Sequence, residues 1–421
     1  IRCAVNLDSP ELSPRNWCWP NQKSNRWRPA VKIVDVCEFY APEGGGVRTY
    51  IHAKLEIGAR LGHDITVIAP GNRDEIVQHE NGGRIIYVKA PSLPFDKKYG
   101  MFWDAAPVHA ILDTVQPDVL EASSPWRGAW IARSWHGHAL RSIFMHHDPL
   151  SAWAYRWFDA VASRDAIDRQ FEWFWRYLRR MCNSFDYTVC ASPSLQKRLA
   201  GGGIFGAVNI PMGVDAGVFS PARGHMSVRR DLLARCNLPD TATLLLGIGR
   251  HTPEKRWPCV IDAVARVAAK RPVGLVLIGN GHQQASIIEH VNGNPHIQLL
   301  EPVRNRTALA TIMASCDALV HGSSAETFGL VASEALASGL PLVLPNAGAV
   351  ADIAHPDFSE TYVPGNAHDA ALAIERLLDR DQHHLQSAAQ RAAATARTLD
   401  DHFVELFQTY ADAILEKREA A

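Results

Sequence analysis

Residues 31–69 read VKIVDVCEFYAPEGGGVRTYIHAKLEIGARLGHDITVIA, and their order decides the fold class. Val31-Lys32-Ile33-Val34-Asp35-Val36 is a short run rich in β-branched residues, which favours a strand. It passes into Ala41-Pro42-Glu43-Gly44-Gly45-Gly46, a cluster of turn residues. From Val47 to Leu61 the apolar residues Ile51, Leu55 and Ala59 recur at every fourth position, the spacing of one helix face. Gly62 ends that helix, and Asp64-Ile65-Thr66-Val67-Ile68-Ala69 is the next strand. Strand, glycine-rich turn, helix and strand make one βαβ unit, which predicts a parallel sheet covered by helices.

Further strands are expected at Arg84–Val88, Val119-Leu120, Ser142–Met145 and Tyr187–Cys190. The pattern then restarts. Thr243-Leu244-Leu245-Leu246-Gly247-Ile248-Gly249 is an apolar strand ending in glycines, followed by a helix over Trp257–Ala269 and strands at Val273–Ile278 and His296–Leu300. A helix over Thr307–Ser315, a strand at Ala318–His321, a helix over Gly329–Ser338 and a strand at Pro341–Pro345 continue the alternation. These two halves predict an α/β protein of two facing, doubly wound Rossmann-like domains, residues 31–205 and 206–398. The junction is expected near Gly201-Gly202-Gly203, whose low complexity suits a hinge. Residues 399–421 read as a terminal helix with apolar Phe403, Leu406, Tyr410 and Ile414, crossing back to the N-terminal domain. Ligands of open α/β sheets bind outside the carboxyl ends of the strands, so the chemistry belongs in the loops that line the cleft.

The 421 residues carry 43 Lys+Arg against 44 Asp+Glu, a net charge of −1, which argues against a nucleic-acid binder. No apolar run reaches the roughly 18 residues of a transmembrane helix. The eight cysteines include no Cys-x-x-Cys and no zinc-finger spacing, which predicts a reduced, cytoplasmic chain. Residues 1–30 hold three Trp, four Arg and four Pro and no apolar signal-peptide core. They are expected to be a leader, disordered or foreign to the natural chain, and stand outside the fold reading.

Two constellations carry chemistry. In Gly249-Arg250-His251-Thr252-Pro253-Glu254-Lys255-Arg256, Arg250 and Lys255 sit between a strand end and a helix N-terminus, where amides and dipole attract an anion. A guanidinium holds a phosphate through two donors and an ammonium adds a mobile point charge. A solvated charged loop would read the same way. In Glu326-Thr327-Phe328-Gly329-Leu330-Val331-Ala332-Ser333-Glu334, two carboxylates stand eight residues apart, slightly over two helical turns, and are suited to accept from vicinal hydroxyls. Phe328-Gly329-Leu330 opens the helix and offers free amides.

Taken together, the Glu-x7-Glu element, the Arg…Lys pair of GRHTPEKR, IPMGVDAGVF at 210–219 and the glycine loop at 44–46 resemble glycosyltransferase family 4. The resemblance spans residues 31–415. It implies the GT-B fold and a retaining enzyme that uses a sugar nucleotide as substrate, with no further cofactor and no Asp-x-Asp metal site. The one Asp-x-Asp, Asp379-Arg380-Asp381, lies near a helix end far from any strand loop. By the same resemblance Arg250 and Lys255 bind the donor diphosphate, Glu326 contacts the donor sugar, and Glu334 holds the ribose. The backbone of Phe328, Gly329 and Leu330 approaches sugar and phosphate, Gly45 and Gly46 let the first loop come close, and Gly249 belongs to the diphosphate loop. Gly279, Asn280 and Val303 flank the base. A histidine near the sugar is assigned to His147 of His146-His147-Asp148, with His146 as the fallback. VHGSSAETFGLV at 320–331 leans toward GDP-mannose, with a UDP-hexose next. The acceptor implied is lipid-linked, a glycolipid or a polysaccharide precursor. A sugar-nucleotide epimerase of the same fold lacks the Glu-x7-Glu element in this context. A non-catalytic nucleotide-sugar-binding protein would be expected to have lost some of Arg250, Lys255, Glu326 and Glu334.

Of 12 tryptophans, 11 lie at or before position 175. Residues 151–180, SAWAYRWFDAVASRDAIDRQFEWFWRYLRR, hold four Trp and six Arg against four acids. Such a segment suits an anionic membrane interface, as a peripheral protein at the inner face, or an acceptor groove. Packing of large helices accounts for the same pattern.

Overall fold

The structure is a computed structural model that describes residues 30–42, 45–93, 99–146, 148, 150, 164–215 and 217–420. The first sheet contains β1 (Lys32–Val36), β2 (Asp64–Gly71), β3 (Glu75–Gln78), β4 (Arg84–Lys89), β5 (Val119–Ala122), β6 (Leu140–Met145), β7 (Tyr187–Cys190) and β8 (Ala207–Asn209). They run in the order β3-β4-β2-β1-β5-β6-β7-β8, all parallel except the antiparallel edge pair β3–β4. The second contains β9 (Thr243–Ile248), β10 (Val273–Ile278), β11 (Ile297–Leu300), β12 (Ala318–Val320), β13 (Leu342–Pro345) and β14 (Ser359–Tyr362), all parallel, in the order β11-β10-β9-β12-β13-β14. Helices cover both faces, so central strands such as β9 and β10 bury both sides and read as unbroken apolar runs.

Each sheet reverses its order beside its first strand, at β1/β5 and at β9/β12. Those two switch points are where an open α/β sheet leaves a crevice. The loops after β1, β9 and β12 are the ones that carry the sequence motifs.

Gly201–Gly203 do not form the expected hinge. They close the helix Pro193–Gly201, and β8 then pairs in parallel with β7, so the chain leaves the first sheet only after Asn209, beyond residue 205. It crosses at Pro211–Val214, where Val214 exchanges backbone hydrogen bonds of 2.9 Å with Arg397 and Leu399. A Cβ on Gly213 would lie 2.0 Å from the Thr398 carbonyl oxygen, so only glycine lets the two crossing segments touch.

The helix Leu399–Ala420 returns to the first sheet. Phe403, Leu406, Phe407 and Tyr410 belong to the apolar core formed with Ile33, Tyr50, Ile51, Leu55 and Phe144. Beneath it lies a buried polar knot. Lys54 Nζ donates to Asp35 at 2.8 Å and to Glu121 at 2.5 Å, and Tyr410 donates to Glu121 Oε2 at 2.5 Å. Burial pushes Glu121 up, with Lys54 opposing; burial would lower Lys54, but the two carboxylates hold it well above its usual value.

Candidate active site

Three helices begin at the switch points: Gly46–Arg60 after β1, Trp257–Ala268 after β9 and Leu330–Ala337 after β12. Their N-cap residues are Gly45, Arg256 and Gly329, and none receives a side-chain cap. First-turn amides of a helix have no intrahelical partner, so an anion placed there meets donors and the positive dipole end. The two halves approach each other here. A Cβ on Gly46 would stand 3.8 Å from Leu330 Cδ1, and the Phe328 ring meets His146 edge-on at 5.9 Å. Ser194 N, at the start of helix Pro193–Gly201, donates across the halves to Asp352 Oδ2 at 2.9 Å.

Lys255 ends the short 3-10 turn Pro253–Lys255 and forms an ion pair with Glu326 Oε1. His321, at the end of β12, accepts from Ser323 N through Nδ1 at 3.2 Å, which leaves Nε2 facing Glu326 at 3.6 Å. Burial would raise the Glu326 carboxyl, but Lys255 and His321 outweigh it and hold Glu326 well below the usual carboxylate range. A lasting anion beside a cation at the mouth of three helix N-termini is suited to hydroxyl and phosphate groups together.

Glu334 sits apart from that pair. It is buried on helix Leu330–Ala337, and Arg306 reaches it at 2.9 Å while also bonding Asp215 at 2.6 Å and stacking over Phe219 at 4.8 Å. Burial raises the Glu334 carboxyl, and Arg306 opposes the shift. The helical-turn argument for the two glutamates fails, because the helix starts only at Leu330; Glu326 and Glu334 are held by different cations. Arg306 and His321 were missed by sequence reasoning. Asp215 lies within IPMGVDAGVF, but nothing in its spacing pointed to a partner 91 residues away.

The predicted glycines differ in what surrounds them: a Cβ on Gly45 would meet nothing within 4 Å, while Gly279 and Gly329 stand in close quarters. A Cβ on Gly279 would fall 1.9 Å from the Gly249 carbonyl oxygen, so the loops after β9 and β10 close on each other. His251 N donates to Asn280 O at 2.8 Å, and Asn280 Nδ2 reaches Glu301 at 3.4 Å, next to Val303 on the same rim. Gly329 has φ 66°, and its Cβ position lies 2.7 Å from Ile353 Cδ1. A side chain would be strained there on both counts.

Arg250 is not drawn into the Lys255–Glu326 cluster. Its side chain is exposed and 3.4 Å from Glu254, while the indole of buried Trp257 fixes its carbonyl at 3.0 Å. His147 lies outside the described residues. His146 is buried at the end of β6 between Phe144, Tyr50 and Phe328. Asp379 pairs with Arg271 and Asp381 caps helix Gln382–Ala394, so each acid of the Asp-x-Asp has a structural partner. Among the described residues no group of three or more His, Cys, Asp and Glu side chains could hold a metal ion.

The family model described as Glycosyltransferase Family 4 matches residues 44–217, and that for Glycosyl transferases group 1 matches residues 228–396. The chain belongs to glycosyltransferase family 4. It is 28% identical over 364 residues to a GDP-mannose-dependent alpha-(1-6)-phosphatidylinositol dimannoside mannosyltransferase of Mycobacterium tuberculosis, covering 86% of this chain and 92% of that protein. A GDP-mannose-dependent alpha-mannosyltransferase of Corynebacterium glutamicum is 25% identical over 401 residues, covering 91% of this chain and 89% of that one. The structure of sucrose-phosphate synthase from Thermosynechococcus elongatus superposes with a TM-score of 0.73 at 18% identity, over 92% of this chain and all of that chain. The two-domain GT-B architecture and the assignment as a glycosyltransferase follow.

Proposed function

We propose that this glycosyltransferase moves a mannosyl residue from GDP-mannose, with retention at the anomeric carbon and without a metal ion, onto a lipid-linked or glycolipid acceptor. The observation that carries the reading is the Lys255–Glu326–His321 cluster at the meeting point of three uncapped helix N-termini. The donor choice rests on the mannosyltransferase relatives, which match along nearly their whole length. Lys255, with Arg250 swinging in from its exposed position, neutralises the departing diphosphate. Glu326 accepts from donor-sugar hydroxyls, Glu334 accepts from the ribose, and the Gly279–Asn280 and Val303 loops flank the base. His147 stands near the sugar.

Retention is assigned to delivery on one face. The bond from the anomeric carbon to the donor phosphate breaks, the acceptor oxygen bonds to the same face, and the leaving phosphate takes the acceptor's proton. Rate then comes from positioning and fixed electrostatics in a cleft that closes against water.

The test is a thermal-shift screen of GDP-mannose, GDP, UDP-glucose and UDP, followed by transfer in EDTA. A donor at 100 times its dissociation constant stabilises the fold by about 2.7 kcal/mol. GDP-mannose is expected to give that shift, transfer to persist in EDTA, and the product to keep the α-configuration. Stabilisation by UDP-glucose alone would overturn the donor, loss of activity in EDTA the metal-free route, and a β-linked product the retention.

A further inference from the structure

Helices Arg127–Ser134 and Glu172–Cys182 lie side by side on the face of the first sheet opposite the C-terminal helix, with Trp126 against Phe174 at 5.7 Å and Trp130 against Tyr177 at 6.3 Å. Between them runs a groove of about 550 Å³ lined by Trp130, Arg133, Trp173, Arg176, Tyr177 and Arg180. It shares no residue with the cleft. Among the described residues no carboxylate lines it and Arg133, Arg176 and Arg180 form no ion pair; Glu172, on the same helix, is taken by Arg179. Arg133 stacks on the Trp130 ring at 5.0 Å. Trp130 and Trp173 are 42% and 56% exposed. A third tryptophan, Trp103, is also exposed and sits beside the start of the first of these helices, where Arg127 bonds its carbonyl at 3.0 Å.

Three guanidiniums that share a groove and have no ion-pair partner among the described residues repel one another, and large indoles left in water forgo the apolar burial that usually decides their place. A phosphate satisfies the first, because guanidinium donors match its oxygens in pairs. It leaves the second untouched. A phosphate at the surface of a bilayer satisfies both, since indole rings settle at the boundary between headgroups and acyl chains. We infer that this groove docks the chain on anionic phospholipid headgroups at a membrane surface. The inference does not depend on which donor fills the cleft.

The experiment floats the full chain with vesicles of equimolar phosphatidylglycerol and phosphatidylcholine, with vesicles of phosphatidylcholine alone, and with free glycerol phosphate as competitor. Binding is expected to the anionic vesicles only, to weaken with salt, and to resist glycerol phosphate. At about fivefold per arginine, R133Q/R176Q/R180Q should bind roughly a hundred-fold more weakly. W130A/W173A should also bind more weakly, through side chains whose exposure makes the substitutions tolerable. Both variants should keep the wild-type melting transition and the wild-type affinity for nucleotide diphosphate. Absence of vesicle binding at low salt, wild-type binding by the folded arginine variant, or displacement by millimolar glycerol phosphate would each overturn the inference. Wild-type nucleotide affinity in these variants keeps that result separate from any failure of the donor reading.

Discussion

Lys255 and Glu326 are both largely withdrawn from water, so each depends on the other. Removing one partner of such a pair strands the other charge, whereas removing both is much cheaper. Lys255→Ala and Glu326→Ala should each reduce transfer to near background, while the double variant K255A/E326A should be more stable than the two single losses sum to. A double-mutant cycle in urea is expected to give a coupling of about 0.5–3 kcal/mol. Wild-type turnover in either single variant would remove the pair from the site. Glu334 obeys a different rule. Burial raises its carboxyl, so it takes up a proton above the ordinary carboxylate value of about 4.3. Its protonation favours the fold fully below the unfolded value, and that contribution is lost as pH rises through the folded value. Ribose binding runs the opposite way, because the carboxylate is the better acceptor. Nucleotide affinity should therefore fall as pH drops toward the carboxylate range from above, and Glu334→Gln should bind more weakly at neutral pH with that pH dependence flattened. Calorimetric titrations over that range check both. These residues were legible because motif spacing names them. Their partners Arg306 and His321 were not, nor was the Ser194–Asp352 contact between the halves, because each joins loops that only the fold brings together.

At the scale of elements, the most exacting contact is the one that seats the C-terminal helix. Tyr410 donates to Glu121 and stands 2.9 Å from the Ser142 hydroxyl, all three in the buried knot around Lys54. Tyr410→Phe keeps the ring and removes only the donor, leaving a buried carboxylate oxygen short of a partner. The expected cost is about 1–3 kcal/mol in chemical denaturation with an unchanged slope; no loss would mean that water or Ser142 replaces the bond freely. The same helix was readable in advance from Phe403, Leu406, Tyr410 and Ile414, since one apolar face repeats over about three turns. The strands divide by composition. The central strands are apolar throughout and stand out. β3 (Glu75–Gln78) is an exposed edge strand, β8 has only three residues, and β14 reads Ser-Glu-Thr-Tyr. Such segments gain their strand state from a neighbour's hydrogen bonds rather than from their own pattern. That is also why Gly201–Gly203 read as a hinge: the strand that follows them is too short to announce itself.

For the whole molecule, the first half is not complete within its own stretch of sequence. Its core on one face of the sheet is closed by Phe403, Leu406, Phe407 and Tyr410, which arrive from the far end of the chain after the second half has been built. Burying four such side chains contributes about 1.5–3 kcal/mol each, roughly 6–12 kcal/mol in all. The stability of an entire domain is about 5–15 kcal/mol. Residues 31–215 alone should therefore lack a cooperative melt and bind hydrophobic dye, although they contain all eight strands of the first sheet. Supplying residues 397–420 as a separate chain or through a flexible linker should restore both the cooperative transition and the near-ultraviolet signal of the packed aromatics. A cooperative melt by the shorter fragment alone would show that the helix only decorates a finished core. If the fragment needs the helix, the two halves are joined by two adjacent crossings that meet at Val214 and Thr398, and closure of the cleft over a donor must pivot about that paired segment instead of about the glycines at 201–203.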